Sequence, residues 1–278
     1  MRKPFCLFIT CFALLSVKNS HAISIIWDYT YDTGSFFTFE RQQVMNEVSN
    51  TFSNLIIERD AITPSGMNTW SWNFQNPSGN DVLEVVNPSI GAGEIKVYLG
   101  AKSLGGGTLG VGGNVGWSAS GTGSWITQIS NTNTNAHYQP FAGTLTFGLD
   151  VNWYSGVDPN VTAGQFDLYT VAIHEMGHVL GLGQYGFVDA WDANVNTTNN
   201  TFTGSTASTT YGGAVPLETN WQHIASGTTF EGNTLVMVPT LTSGTRRNWT
   251  DVEYGILQDM GYTAIPEPNL WFALPLFL

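Results

Sequence analysis

Apolar residues follow two different periods along the chain. Residues 23–30 (ISIIWDYT), 93–100 (GEIKVYLG) and 143–154 (GTLTFGLDVNWY) are rich in β-branched and aromatic residues, which predicts three strands. Residues 40–59 have a helical period instead, which predicts an amphipathic helix with one buried stripe. The apolar positions of that stripe are Val44, Val48, Phe52, Leu55 and Ile56.

A second helical pattern follows Asp167, and its apolar positions continue to Leu180. Asp167 is suited to cap the first turn, and Gly181 stands where such a helix would end. A last short helix is predicted over residues 251–260 and is closed by Gly261.

Three segments lack either period. Residues 105–123 are rich in Gly and Ser and predict a flexible surface loop or a set of tight turns. A phosphate-binding loop is not supported there, because no Lys-Ser/Thr ending and no helix follow. Residues 155–165 and the polar tract 194–213 are both predicted to be loops. Strands and helices together predict an α+β fold.

The first 22 residues have the features of an export signal. Arg2 and Lys3 precede an apolar run over residues 5–17, and Ser-His-Ala at 20–22 provides a cleavage site. An uncleaved membrane anchor is disfavoured, because the run is shorter than the ~20 residues that span a bilayer. We therefore expect the mature chain to begin at Ile23 and to be secreted or held at the cell surface.

Composition narrows the range of partners. Both cysteines, Cys6 and Cys11, lie in the signal, so disulfides would not stabilise the mature chain. The formal charge is −12 before cleavage, and the charged residues that cleavage would remove are all basic, so the mature chain would be more acidic. This acidity argues against nucleic acid and anionic lipid as partners. The many Asp, Asn and Gly residues suit structural calcium, but no calcium-loop spacing occurs, so calcium stays open.

The other end resembles a sorting element. Residues 264–278 contain Pro266-Glu267-Pro268 and then an apolar stretch that is too short to span a bilayer. We expect transient membrane sorting through this tail and no membrane span in residues 23–263.

The candidate chemistry lies in the run His174-Glu175-Met176-Gly177-His178. Histidines four positions apart project from one face of a helix, so both imidazoles can reach one zinc ion. Glu175 can then take a proton from the attacking water and pass it to the leaving amine. The pattern occurs by chance, and two such histidines could also lie on a solvated face. Apolar flanks on both sides favour a buried helix and therefore a metal site.

At this point the sequence resembles the metzincin metallopeptidases. Their pattern, H-E-x-x-H-x-x-G-x-x-H/D, matches His174, Glu175, His178 and Gly181, but Gln184 stands at the third ligand position. A neutral amide oxygen is a weak zinc donor.

The leishmanolysin-like members of that group suggest another third ligand, because an insertion there separates the helix from its last histidine. His223 matches that histidine, and Met237 with Pro239 matches the methionine turn that follows it. A carboxylate of Asp189 or Asp192, and more weakly Gln184, remains an alternative. For Met237 itself, the alternative is a core methionine that fills an irregular gap.

The whole mature chain also resembles bacterial matrixin-like exported proteins that carry a Pro-Glu-Pro sorting signal. Those signals end in a basic cluster, and this chain has none there.

The resemblance implies a zincin/metzincin-like fold: a twisted mixed sheet with the active helix, within residues 23–183, and a largely irregular C-terminal lobe over 184–263. An edge strand near residues 144–150 would pair with an extended polypeptide substrate. The implied function is a secreted zinc endopeptidase. A non-catalytic surface or matrix protein with the same fold is the alternative, and hydrolysis of another amide or ester also stays open.

Overall fold

The computed structural model describes residues 19–264 of the 278-residue chain. Most of the predicted export signal and almost all of the predicted sorting tail therefore lie outside the described residues. Within the described range there are six helices: α1 (Phe39–Phe52), α2 (Gly123–Ser130), α3 (Leu168–Val179), α4 (Asp189–Asp192), α5 (Ser205–Tyr211) and α6 (Asp251–Asp259). Of these helices, none is both long and apolar enough to cross a bilayer.

The strands of the described residues are longest in the N-terminal two thirds. In chain order they are β1 (His21–Ala22), β2 (Ser24–Asp28), β3 (Leu55–Ile57), β4 (Thr69–Gln75), β5 (Val82–Val86), β6 (Glu94–Lys102), β7 (Gly110–Asn114), β8 (Gly116–Ser120), β9 (Asn133–Thr134), β10 (His137–Tyr138), β11 (Ala142–Gly148), β12 (Trp153–Tyr154), β13 (Phe166–Asp167), β14 (Val195–Asn196), β15 (Thr201–Phe202), β16 (Val215–Pro216), β17 (Thr229–Phe230), β18 (Asn233–Thr234) and β19 (Thr263–Ala264). This mixed α+β architecture is compatible with a metzincin-like fold.

A four-stranded mixed sheet forms the centre of the fold, in the order β2-β6-β11-β7. β2, β6 and β11 run parallel, and β7 lies antiparallel to β11. Alternate residues of β6 point to opposite faces: Val97 and Leu99 join the core that contains α1 and α3, whereas Tyr98 joins a second core. Aromatic residues of a second sheet, β5-β4-β8, complete that second core. The sheet therefore holds α3 on one face and is covered by another sheet on the other.

The first predicted helix is too long. α1 ends at Phe52, and Leu55 and Ile56, which we assigned to its buried stripe, belong to β3. Leu55 and Ile57 are buried while Ile56 is half-buried, which is the period of a strand. β3 pairs with β1 and β19 on its two sides, so distant parts of the chain satisfy its backbone. β1 lies within the predicted export signal, and the position of the cleavage site stays a prediction.

The Gly-rich segment 105–123 is not a loop throughout, which corrects the sequence prediction. It contains β7 and β8, and its glycines allow β7 to lie directly against α3. A Cβ atom at Gly112 would lie 2.8 Å from Glu175 Cβ and closer still to the Glu175 carbonyl oxygen. A side chain at that position would push the strand off the helix.

The predicted edge strand near residues 144–150 is also wrong. β11 (Ala142–Gly148) lies inside the sheet, between β6 and β7. β7 has no second strand neighbour among residues 19–264, so it is the edge strand beside α3. Sequence periodicity could not find this edge, because glycines give β7 no apolar alternation.

Replacing Gly112 with Ala is expected to destabilise the protein by about 2 kcal/mol, because the added methyl meets backbone atoms that cannot rotate away. Gly116→Ala is the matched control, since a Cβ there would meet only the Asn73 carbonyl oxygen, at an ordinary 3.5 Å. Chemical denaturation measures both variants. Equal stability of the two would contradict the close packing of β7 on α3.

The polar tract 194–213 is more ordered than we predicted. It forms β14, β15 and α5 rather than one extended loop. The Asp259 carboxylate accepts hydrogen bonds from the backbone N–H groups of Thr206 and Ala207, both at 2.9 Å, at the start of α5. Contacts with α6 therefore stabilise α5, although its Ser- and Thr-rich sequence has a low helix propensity.

Candidate active site

The helix α3 carries His174, Glu175 and His178, and its start is fixed by a buried ion pair. Asp167 caps the helix by accepting hydrogen bonds from the Thr170 N–H at 3.1 Å and the Thr170 hydroxyl at 2.6 Å. Its carboxylate also binds the Arg246 guanidinium through two contacts of 2.9 and 2.7 Å. Asp167 is fully buried and its carboxylate binds both Thr170 and Arg246, so the beginning of α3 is held firmly in place.

Three histidine rings converge at the C-terminal half of α3. The ring centroids of His174, His178 and His223 lie 5.0 to 5.2 Å apart, and their candidate ligand atoms all lie within 4.8 Å of one another. Among residues 19–264 this is the single group of three or more His, Cys, Asp or Glu side chains with such spacing. The described residues therefore give no support for structural calcium.

The donor set fits zinc. Nδ1 of His174 lies 2.8 Å from the Val236 carbonyl oxygen, and Nδ1 of His178 lies 2.8 Å from the Leu182 carbonyl oxygen. These carbonyls accept the Nδ1 proton, which leaves the Nε2 lone pair free for a metal. Burial lowers the pKa of all three rings, to about 4 for His178, so the rings stay neutral as ligands require. Three imidazoles with an open fourth position are a ligand set of catalytic zinc.

His223 reaches this cluster because its segment crosses the end of α3. Gly183, in the left-handed conformation, packs against the Gln222 backbone so closely that a Cβ would overlap the Gln222 carbonyl oxygen. Trp221 is also left-handed, at φ 57°, and is held by its Nε1–H bond to Asn200 and by the Trp191 Nε1–H bond to its carbonyl. These contacts fix the backbone immediately before His223.

The other candidate third ligands lie elsewhere. The Asp192 carboxylate accepts hydrogen bonds from the Gly186 N–H, and Asp189 begins α4. Neither belongs to the histidine cluster. Gln184 lines a separate groove near Gly113, with Trp117 and Phe187 among its neighbours. His137 is also outside the cluster, with its Nε2 2.7 Å from the Asn131 carbonyl oxygen.

Glu175 lies beside the cluster, at the wall of a cavity of about 460 Å³. Only 6% of its surface is exposed, and Gly112 of the edge strand packs directly against its backbone and Cβ. Burial raises the Glu175 pKa to about 8, and the nearby Gly112 backbone offsets only part of this rise. The side chain is therefore suited to bind and release a proton next to a metal site.

Met237, the candidate turn methionine, packs against α3. A Cβ at Gly177 would collide with the Met237 sulfur, so the glycine between the two histidines allows this contact. The Ile224 N–H bonds the Met237 carbonyl at 3.0 Å, which ties the methionine turn to the segment of His223. Gly181, at φ 103°, ends α3, and Pro239 lines the cavity.

Sequence reasoning assigned no role to Glu253, which supports this turn. Its buried carboxylate accepts hydrogen bonds from the Met237 N–H at 2.8 Å and the Thr250 N–H at 2.9 Å. Burial raises the Glu253 pKa to about 7. The Thr250-x-x-Glu253 capping box at the start of α6 was the signal that could have located it.

Comparison with known proteins agrees with this geometry. The family model described as Matrixin matches residues 115–190. The match supports a metzincin-like family. It contains the whole of α3 but stops before His223 and Met237, so it covers two of the three clustered histidines. It also supports a metallopeptidase hydrolase, and the peptidase family implies a polypeptide substrate. No curated protein matches the chain significantly.

Proposed function

We propose that this protein is an exported zinc endopeptidase that hydrolyses extended polypeptides. The observation that carries the proposal is the convergence of His174, His178 and His223 next to the buried carboxylate of Glu175. When bound by these histidines, zinc would supply Lewis acidity toward water and toward the scissile carbonyl.

The chain's own residues account for proton transfer and for substrate position. The Glu175 carboxylate takes a proton from the attacking water and releases it to the leaving amine. The close packing of Gly112 on the backbone of Glu175 places that carboxylate beside the edge strand. An extended substrate pairs with the open edge of β7, which brings its peptide bond past Glu175.

Location and processing are part of the same proposal. The signal-like residues 1–22 support export to the exterior of a bacterial cell, and residues 264–278 support transient membrane sorting. Detection of a mature chain beginning at Ile23 in the extracellular fraction would test the first point.

Metal-dependent proteolysis tests the activity itself. Purified protein with zinc is expected to cleave an unfolded, disulfide-free protein, to lose this activity after chelation, and to regain it when zinc is restored. Mass spectrometry of the fragments identifies the bonds that are cut. Stoichiometric zinc binding without cleavage of any unfolded substrate would overturn the peptidase proposal and favour a non-catalytic surface or matrix protein.

A further inference from the structure

The cavity beside Glu175 has walls of mixed polarity and one permanent positive charge. Its lining includes the apolar residues Phe166, Val171, Val236 and Leu241 together with three threonines, Thr108, Thr170 and Thr240. Apart from histidines, Glu175 and Arg247 are the two ionisable residues among those that line it. A permanent positive charge in a partly enclosed cavity is a determinant of ligand charge, because reduced access of water strengthens its field.

Arg247 is held in place by its backbone while much of its side chain remains available. Its N–H donates to the Thr170 hydroxyl at 2.8 Å, and its Nη1 makes only a long contact of 3.4 Å with the Leu235 carbonyl. Within the described part of the chain Arg247 forms no salt bridge. The charge of the nearby Glu253 affects the Arg247 pKa by electrostatic attraction, without an ion-pair contact.

The neighbouring Arg246 shows the contrast. Its guanidinium binds both oxygens of Asp167 and the carbonyl oxygens of Gly156 and Val157. Arg246 is therefore a structural residue with its donors occupied. Arg247 has the same chemistry, a half-buried side chain and free donors at a cavity.

We propose that Arg247 determines substrate specificity by binding a side-chain carboxylate next to the scissile bond, so that the enzyme prefers glutamate there. The inference rests on the proposed peptidase function and names a substrate class for it. The apolar residues of the wall suit the methylene groups of glutamate, and a guanidinium pairs with a carboxylate through two parallel hydrogen bonds. Because the whole chain is acidic, this local charge opposes the repulsion that an acidic peptide would otherwise meet.

Matched peptides test this preference. Peptides that are identical except for Glu or Gln at one position are scanned through the residues on both sides of a cleaved bond. At one position, kcat/KM for the Glu peptide is expected to exceed that for the Gln peptide about tenfold, as for a hydrogen bond to a charged group. Arg247→Gln should abolish the difference, Arg247→Lys should keep part of it, and Arg247→Glu should reverse it toward a Lys peptide.

The control for overall charge is Lys96→Gln, which removes one positive charge at the partly exposed pair with Asp28; neither residue lines the cavity. It should leave the Glu preference intact. Cleavage of Glu and Gln peptides at equal rates at every position would overturn the inference, and so would a preference that survives in Arg247→Gln.

A binding measurement separates this inference from the peptidase proposal. Zinc-loaded Glu175→Gln protein is titrated with the Glu and Gln peptides, with and without Arg247→Gln. One outcome is that the Glu peptide binds more tightly in a way that depends on Arg247, but protein that retains Glu175 cleaves neither peptide. That outcome supports the inference and overturns the proposed activity. Cleavage together with equal binding of both peptides supports the proposed activity and overturns the inference about Arg247.

Discussion

Glu175→Gln is expected to lower kcat about 1,000-fold while the protein keeps its zinc. The substitution removes the proton acceptor, and general acid–base catalysis contributes between 100- and 10,000-fold in enzymes. Glutamine preserves the size of the side chain, and β7 packs on the backbone and Cβ of this residue, so the packing of β7 on α3 is retained. Single-turnover cleavage of a quenched fluorescent peptide and zinc analysis of the same sample measure the two quantities.

The matched control is Glu84→Gln, on the exposed side of the distant strand β5. It should leave both kcat and zinc content unchanged. Loss of activity that accompanies loss of zinc in Glu175→Gln would show a structural effect, and retention of full activity would exclude Glu175 as the general base.

His223→Ala is expected to reduce bound zinc from about one ion per chain to a small fraction of that value. Loss of an outer hydrogen-bond partner alone weakens metal sites by 10- to 100-fold, so loss of a ligand should weaken this one by more than about 100-fold. Zinc content after dialysis against a weak competing chelator measures the change, and peptidase activity should fall with it.

His137→Ala provides the control, because that ring bonds the Asn131 carbonyl and lies outside the cluster. It should keep zinc and activity. Asp189→Asn and Asp192→Asn examine the alternative third ligands directly. If zinc were retained in His223→Ala but lost in either Asp variant, the assignment of His223 would be wrong.

The parts of the fold that follow from local pattern could be predicted from the sequence. α3 could be predicted because its apolar residues recur at helical spacing between a capping Asp and a terminating Gly. The strands near residues 23–30 and 93–100 were also recognisable from their β-branched residues. The proximity of His174 and His178 follows from that helix alone, whereas their role as ligands stays a prediction.

The errors arose where tertiary contacts override local preference. β7 is rich in glycine because α3 lies against it, and no single-sequence pattern reports that neighbour. α5 forms on α6 despite poor helix formers, and Leu55 joins a strand whose partners come from both ends of the described chain. The position of His223 depends on contacts between segments far apart in sequence, so only a family resemblance could suggest it.

The contact of Gly183 with Gln222 has a consequence for how such sites diversify. His223 is positioned by where two chain segments cross, not by the length of the chain between them. Residues could be gained or lost in the surface turns between β14 and β16 without moving the third imidazole, provided that the crossing is kept. Searches that require a fixed number of residues after the second histidine would overlook relatives built this way, whereas a search for the crossing itself would find them.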